Sequence, residues 1–123
     1  MKELKIVIAE DSEVFSKLLS RTLSVIVGFK VVGTAANGVR AIELTRELKP
    51  DVLVLDITMP FKDGIEVLKE IRAEDSSTVI VMFTADTSPP TRRICLEAGA
   101  DYFLNKSQIL ELLEICNLQL LAL

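Results

Sequence analysis

Hydrophobic and polar positions alternate between two periods along this chain, and each change of period marks a new element. Short continuous apolar runs predict buried strands, whereas apolar residues spaced three and four apart predict amphipathic helices. Runs of the first kind predict five strands, at residues 4–9, 29–35, 52–55, 78–84 and 102–105. Stretches of the second kind predict five helices, at about residues 14–26, 41–48, 65–71, 89–98 and 108–120.

Regular alternation of strands and helices predicts a parallel sheet covered by helices on both faces, with right-handed connections. The linkers are short, so we expect one α/β domain over residues 1–123. The runs 52–55 and 79–83 are wholly apolar, as is typical of interior strands, whereas weak alternation at 29–35 indicates a sheet edge. A doubly wound five-stranded sheet in the order 2-1-3-4-5 meets these requirements.

Cap and turn residues support these boundaries. Asp11 or Ser12 is available to cap the first helix, and Pro50 ends the second. Ser88 followed by Pro89 is a typical helix start, which predicts Ser88 as the N-cap of the fourth helix.

Composition excludes several kinds of function. The 123 residues contain no His, which excludes imidazole catalysis, and the net charge of -4 argues against direct nucleic-acid binding. No apolar stretch approaches the roughly 20 residues that span a bilayer, and the start lacks the apolar segment of a signal peptide. We therefore expect a cytoplasmic protein in which Cys95 and Cys116 are free core thiols.

Polar residues follow four of the predicted strands. Glu10 and Asp11 follow the first strand, Asp56 follows the third, Thr84 ends the fourth, and Lys106 follows the fifth. In a parallel sheet these ends share one edge, and the predicted order makes the first and third strands neighbours. The sequence therefore predicts three carboxylates across one crevice, with a hydroxyl and a lysine close by.

This set of groups predicts a particular chemistry. Carboxylates so close together need a cation, and oxygen-only ligands favour Mg²⁺. A carboxylate beside Mg²⁺ can act as a nucleophile and form an aspartyl phosphate. Lys106 would supply positive charge and Thr84 a hydroxyl donor to the phosphoryl group. No general base is evident, so hydrolysis of the acyl phosphate should be slow.

Each residue taken alone has a plainer interpretation. Asp56, or Glu10 and Asp11, would serve as cap or turn residues, Thr84 as an ordinary strand-end residue, and Lys106 as a solvated surface lysine. Their joint occurrence at four strand ends on one edge favours the site.

The sequence resembles the receiver domain of bacterial response regulators in two-component signalling, a (βα)5 flavodoxin-like fold, over essentially its whole length. The resemblance rests on five motifs: residues 7–12, residues 51–60, Asp63-Gly64, Thr84-Ala85, and residues 98–101 leading to Lys106. It implies that Asp56 accepts a phosphoryl group from a histidine-kinase phosphohistidine. The chain is then a phosphoacceptor switch and not a turnover enzyme.

The resemblance also implies roles for the surrounding residues. Glu10, Asp11, Asp56 and the backbone carbonyl of Thr58 would hold Mg²⁺. Lys106 and Thr84 would contact the phosphoryl group. Phe103, which is otherwise simply a core aromatic, occupies the position of the family's switch aromatic. Thr84 would move toward the phosphate and vacate space that Phe103 rotates to fill.

Two features depart from the simplest pattern. The usual Pro after the lysine is replaced by Ser107, which predicts a trans peptide bond. The last helix carries more apolar residues than one buried stripe requires. A frayed end, a surface on the last two helices for a second copy or a partner, and a further output domain in a longer protein each account for this excess.

Three other functions compete with the switch. An aspartate-nucleophile phosphatase would need an acid two residues after Asp56, where Thr58 stands. A flavin-binding module would place its phosphate where Glu10 and Asp11 would repel it. A degenerate receiver used only for docking is disfavoured by the intact set of site residues.

Overall fold

The computed structural model describes residues 2–123, in which five strands alternate with five helices along the chain. In order they are β1 (Leu4–Ala9), α1 (Glu13–Ser24), β2 (Phe29–Ala35), α2 (Gly38–Leu48), β3 (Val52–Leu55), α3 (Gly64–Glu74), β4 (Val79–Thr84), α4 (Pro89–Glu97), β5 (Tyr102–Asn105) and α5 (Ile109–Ala122). No helix among these residues is long and apolar enough to cross a membrane.

The strands form one parallel sheet in the order β2-β1-β3-β4-β5. This confirms the predicted doubly wound class and strand order. The weakly alternating strand β2 lies at an edge, whereas β3 and β4, which contain the apolar runs 52–55 and 79–83, lie inside, with all of Val52–Leu55 buried. Burial on both faces explains why the interior strands are continuous apolar runs.

Helices cover both faces of the sheet and form two separate cores. On one face α1 and α5 pack against the sheet through Leu19, Leu23, Leu112, Ile115 and Cys116. On the other face α2, α3 and α4 pack through residues that include Ile42, Val67, Leu68, Ile71 and Cys95. Each large side chain so buried contributes about 1.5–3 kcal/mol to the hydrophobic term. Both cysteines are free and buried, as predicted.

Some boundaries differ from the prediction. Helix α1 ends at Ser24, before the predicted 26, because the chain turns toward Gly28, whose φ of +92° lies in the left-handed region. Ser12 caps this helix, and its side chain accepts a hydrogen bond from Phe15 N. Ser88 precedes α4 but its side chain does not cap the backbone, because its hydroxyl bonds to the hydroxyl of Thr91.

Helix α5 is apolar on both its buried and its exposed sides. Leu112, Ile115 and Cys116 are buried, whereas four leucines of this segment are exposed: Leu110, Leu118, Leu121 and Leu123. The peptide bond between Lys106 and Ser107, which precedes this helix, is trans as predicted.

Candidate functional site

The acidic residues at the strand ends lie together because β1 and β3 pair in register. Ala9 lies opposite Leu55, and the amide of Asp56 donates to the carbonyl of Ala9 at 3.0 Å. Glu10 and Asp56 therefore leave the sheet side by side. One carboxylate oxygen from each of Glu10, Asp11 and Asp56 lies within 4.8 Å of the others. The structure thus brings the three predicted carboxylates into one cluster.

Two members of this carboxylate cluster are withdrawn from solvent. Glu10 is 4% exposed and Asp56 is 5% exposed, whereas Asp11 lies on the surface. Asp56 Oδ1 accepts a hydrogen bond from Ile57 N at 2.7 Å, and Glu10 Oε2 accepts one from Ser12 N at 2.8 Å. Each buried carboxylate is therefore fixed by a backbone amide through one oxygen, which leaves its second oxygen available.

Lys106 contacts both of the remaining oxygens. Its amide donates to the carbonyl of Thr84 at 3.0 Å, which aligns it with the end of β4. Its Nζ lies 2.8 Å from Asp56 Oδ2 and 2.5 Å from Glu10 Oε1. The lysine thus partly neutralises two buried carboxylates that come from different strands.

Burial and charge act in opposite directions on these groups. Burial raises the pKa of Glu10 above its ordinary value, although the hydrogen bond with Lys106 opposes that rise. Burial by itself would lower the pKa of Lys106, but hydrogen bonds to Asp56 and Glu10 outweigh it and raise that pKa. Lys106 therefore remains a cation at neutral pH.

The cluster fits a hard divalent cation. Glu10 Oε1 is buried and, among the described residues, accepts no hydrogen bond apart from its contact with Lys106 Nζ. Three carboxylates and one ammonium also leave an excess of negative charge. An oxygen-only set of this kind suits Mg²⁺, which binds through one or two carboxylates and keeps several waters.

Two of the predicted site residues, Thr84 and Thr58, make no side-chain hydrogen bond to this cluster among the described residues. Thr84 ends β4 and is 1% exposed, and its hydroxyl oxygen accepts a hydrogen bond from Asp86 N at 3.4 Å. Thr58 is exposed in the loop after β3. Within residues 2–123, neither side chain donates a hydrogen bond to the carboxylates of Glu10, Asp11 or Asp56.

Phe103 lies inside the protein. It is 7% exposed and belongs to the core between the sheet and helices α2–α4. Arg92 of α4 lies against it, with the guanidinium carbon 5.9 Å from the ring centroid and a hydrogen bond of 3.4 Å to the Phe103 carbonyl. The predicted switch aromatic is thus a core residue here, in contact with an arginine of the neighbouring helix.

The sequence analysis assigns no role in the site to two residues that contribute to it, Phe15 and Gly64. The ring of Phe15 lies beside Lys106, with Nζ 4.8 Å from the ring centroid. Gly64 lies so close to Asp56 that a Cβ would come within 2.0 Å of the Asp56 carbonyl oxygen. The apolar period marks Phe15 only as a helix position, but its place in the first turn after the acidic pair is the signal that points to the site.

Comparisons with known proteins agree with this architecture. The profile of the response regulator receiver domain matches residues 6–117. The chemotaxis protein CheY of Halobacterium salinarum is 34% identical over 102 residues, which is 83% of this chain and 83% of that protein. The response regulator domain of Thermotoga maritima CheB matches with a TM-score of 0.87 at 30% identity, covering 97% of each chain.

A longer relative matches over one part only. Protein-glutamate methylesterase/protein-glutamine glutaminase 4 of Hahella chejuensis is 42% identical over 106 residues, which is 85% of this chain but 27% of that protein. This chain thus spans about a quarter of that relative and most of the CheY relative. Because the family profile matches residues 6–117 and the fold matches that of a response regulator domain, the chain belongs to the response regulator receiver domain family.

Proposed function

We propose that Asp56 accepts a phosphoryl group from the phosphohistidine of a sensor histidine kinase or a phosphotransfer protein. The observation that carries the proposal is the 2.8 Å contact of buried Asp56 Oδ2 with Lys106 Nζ, inside a carboxylate cluster. A nucleophilic carboxylate with a cation beside it is what phosphoryl transfer requires of a protein.

The transfer exchanges one bond for another. A carboxylate oxygen of Asp56 attacks phosphorus, the phosphorus–nitrogen bond breaks, and its electron pair stays on the imidazole of the donor. The Lys106 ammonium would form an ion pair with the negatively charged phosphoryl oxygens, and the Thr84 hydroxyl would donate a hydrogen bond to one of them. The three groups come from the ends of β3, β4 and β5, which lie next to one another in the sheet.

The metal site forms the second part of the proposal. Mg²⁺ would be held by Glu10, Asp11, Asp56 and the backbone carbonyl of Thr58. The clustered carboxylates support this assignment, as does buried Glu10 Oε1, which among the described residues accepts no hydrogen bond apart from its contact with Lys106. Bound there, the ion would neutralise charge between the carboxylates and the phosphoryl oxygens.

The conformational change would begin at Thr84 and reach Phe103. Movement of Thr84 toward the phosphoryl group would change the space beside β5, and Phe103 would adjust its position in response. The contact of Arg92 with the ring and carbonyl of Phe103 gives this movement a route to α4.

Turnover is not part of the proposal. Thr58 stands two residues after Asp56, where an aspartate-nucleophile phosphatase would place its acid–base carboxylate. We therefore infer a self-catalysed phosphoacceptor switch with slow loss of the phosphoryl group. A degenerate receiver that serves only for docking is the competing function, and the phosphorylation experiment below separates the two.

The output surface would lie on the last two helices. Ile94 and Leu96 of α4 and Leu118 of α5 are large apolar side chains that remain exposed. We propose that they take part in contacts with a second copy or an output partner. Sedimentation velocity with and without acetyl phosphate tests the homodimer, and Leu118→Glu should abolish any phosphorylation-dependent increase in mass.

A direct nucleic-acid contact is not proposed, since the net charge is -4. Action in the cytoplasm and a single domain over 1–123 stay predictions.

One mass-spectrometric experiment tests the central proposal. The protein is incubated with acetyl phosphate and either Mg²⁺ or EDTA, and its intact mass is measured over time. We expect a gain of one phosphoryl group that requires Mg²⁺ and is absent in Asp56→Asn. Asp51→Asn, at the opposite end of the same strand, is the matched control and should gain the group normally. No gain in the unaltered protein, or rapid consumption of many equivalents of donor, would contradict the proposal.

A further inference from the structure

The side chain of Phe15 connects the hydrophobic core to the catalytic lysine. Phe15 is half-buried in the first turn of α1, where Ser12 accepts a hydrogen bond from its amide at 3.3 Å. Its ring lies 6.1 Å, centroid to centroid, from the ring of buried Phe83. The Nζ atom of Lys106 lies 4.8 Å from the Phe15 ring centroid. The helix cap and the aromatic pair thus hold one ring beside the ammonium.

This ring differs in kind from the other two partners of Lys106. Glu10 and Asp56, the two carboxylates at 2.5 and 2.8 Å, are also the proposed ligands of Mg²⁺. The carboxylate oxygens that contact Lys106 are therefore the ones that a metal ion or a phosphoryl group would occupy. Phe15 offers no such ligand atom, so its ring remains a partner of the lysine when those oxygens are occupied. The attraction between an ammonium and an aromatic ring strengthens when the pair is partly shielded from water, and the Lys106 side chain is only 25% exposed.

We propose that Phe15 is a positioning residue for phosphoryl transfer: its ring would keep the Lys106 ammonium close to the phosphoryl group on Asp56 when the carboxylate oxygens that it now contacts are occupied. The inference rests on the proposed function, because it assigns a role within the same reaction. Lysine carries a flexible four-carbon stem, so an ammonium without this partner would spend more time in solvent. Without the ring, phosphoryl transfer to Asp56 at saturating Mg²⁺ would therefore be slower.

The test compares initial rates of phosphoryl gain from acetyl phosphate at saturating Mg²⁺. Phe15→Leu keeps an apolar side chain but removes the ring, and we expect a rate lower by about three- to tenfold. Phe15→Tyr keeps the ring and should stay within about twofold of the unaltered protein. Phe29→Leu is the matched control, because it removes a buried ring of the same core at the start of β2, at the opposite end of the sheet from Lys106. It should lower stability yet leave the rate nearly unchanged.

A double-substitution cycle separates positioning from packing. In a Lys106→Met background, Phe15→Leu should cause no further loss of rate, because the ring then has no ammonium to hold. An equal loss in both backgrounds would overturn the proposal, and so would a Phe15→Leu protein that reacts as fast as the unaltered one. Should Phe15→Leu fold poorly, pentafluorophenylalanine at this position keeps the shape of the ring and reverses its quadrupole. It is then expected to slow the reaction to a similar extent, and an unchanged rate would count against the proposal.

The same data distinguish failure of this inference from failure of the proposed function. If the unaltered protein gains no phosphoryl group, the proposed function fails and the role of Phe15 fails with it. If it gains one that Asp56→Asn lacks, while Phe15→Leu is unaffected, only the role of Phe15 is overturned.

Discussion

The backbone of Gly64 lies directly against the backbone of Asp56: a Cβ built on Gly64 would come within 2.0 Å of the Asp56 carbonyl oxygen. The amide of Gly64 donates to the carbonyl of Ile57 at 2.7 Å. Asp63 and Glu66 form a reciprocal capping box at the same point. The start of α3 is thereby closed onto the loop that carries the proposed phosphoacceptor.

We therefore expect Gly64→Ala to be costly. The added methyl group meets backbone and not a flexible side chain, so the loop must shift, and the free energy of unfolding should fall by about 2 kcal/mol. Phosphoryl gain at Asp56 should slow as well. Gly33→Ala is the matched control, because its Cβ would meet the end of the Leu48 side chain at 3.1 Å. Urea unfolding compares the two variants, and equal losses of stability would contradict the expectation.

Removal of the Lys106 ammonium should make the stability of the protein depend more strongly on Mg²⁺. In EDTA, Lys106→Met leaves the buried carboxylates of Glu10 and Asp56 without a cation, and the free energy of unfolding should fall by about 3 kcal/mol. Added Mg²⁺ should stabilise this variant more than the unaltered protein, because the ion no longer competes with the ammonium.

Lys17→Met is the control for this experiment. Lys17 forms an exposed pair with Glu13 at 2.8 Å, and such surface pairs contribute little. Urea unfolding with and without Mg²⁺ measures the difference. An equal Mg²⁺ effect on all three proteins would show that Lys106 and the metal do not share the site.

The environment of position 103 can be followed directly. The chain contains no Trp, so Phe103→Trp introduces a single fluorescent indole at a buried site. We expect its emission to change when acetyl phosphate and Mg²⁺ are added, because the switch would alter the packing of this ring. The same substitution combined with Asp56→Asn should show no change. Constant emission in a protein that mass spectrometry shows to be phosphorylated would exclude Phe103 as a moving part.

The lowered pKa of Asp75 predicts that the protein loses stability in acid. A hydrogen bond from the Thr78 hydroxyl at 2.5 Å, with further bonds from Ser77, lowers the pKa of Asp75 from its ordinary value to about 2. Because the folded state holds this proton less tightly than the unfolded state, the ionised carboxylate stabilises the fold above pH of about 4. That contribution is lost as the pH falls toward about 2.

Asp75→Asn tests this assignment. At pH 7 the variant should be less stable by about 1 kcal/mol, a value reduced for the partial exposure of the site. The difference from the unaltered protein should shrink as the pH falls from about 4 to about 2. Unfolding followed by circular dichroism at several pH values measures it. A difference that stays constant over this range would rule out the carboxylate as its source.

Local patterning in the sequence determined the order of the elements and the edge at which Glu10, Asp11, Asp56, Thr84 and Lys106 would meet. It succeeded because apolar runs and helical periods are local properties, and parallel strands must expose their carboxyl ends on one side. The interior position of β3 followed from four consecutive apolar residues, since only a strand covered on both faces tolerates them.

Tertiary structure alone decided which atoms of that edge touch. That Lys106 binds Glu10 and Asp56 together depends on the rotamers of residues from three elements, and no local pattern encodes them. The ring of Phe15 reaches the lysine only because the turn of α1 packs against Phe83 of β4. The closure of Gly64 on Asp56 likewise depends on how α3 meets the end of β3. Sequence periodicity assigned these residues to elements, whereas the packing of the elements created the contacts between them.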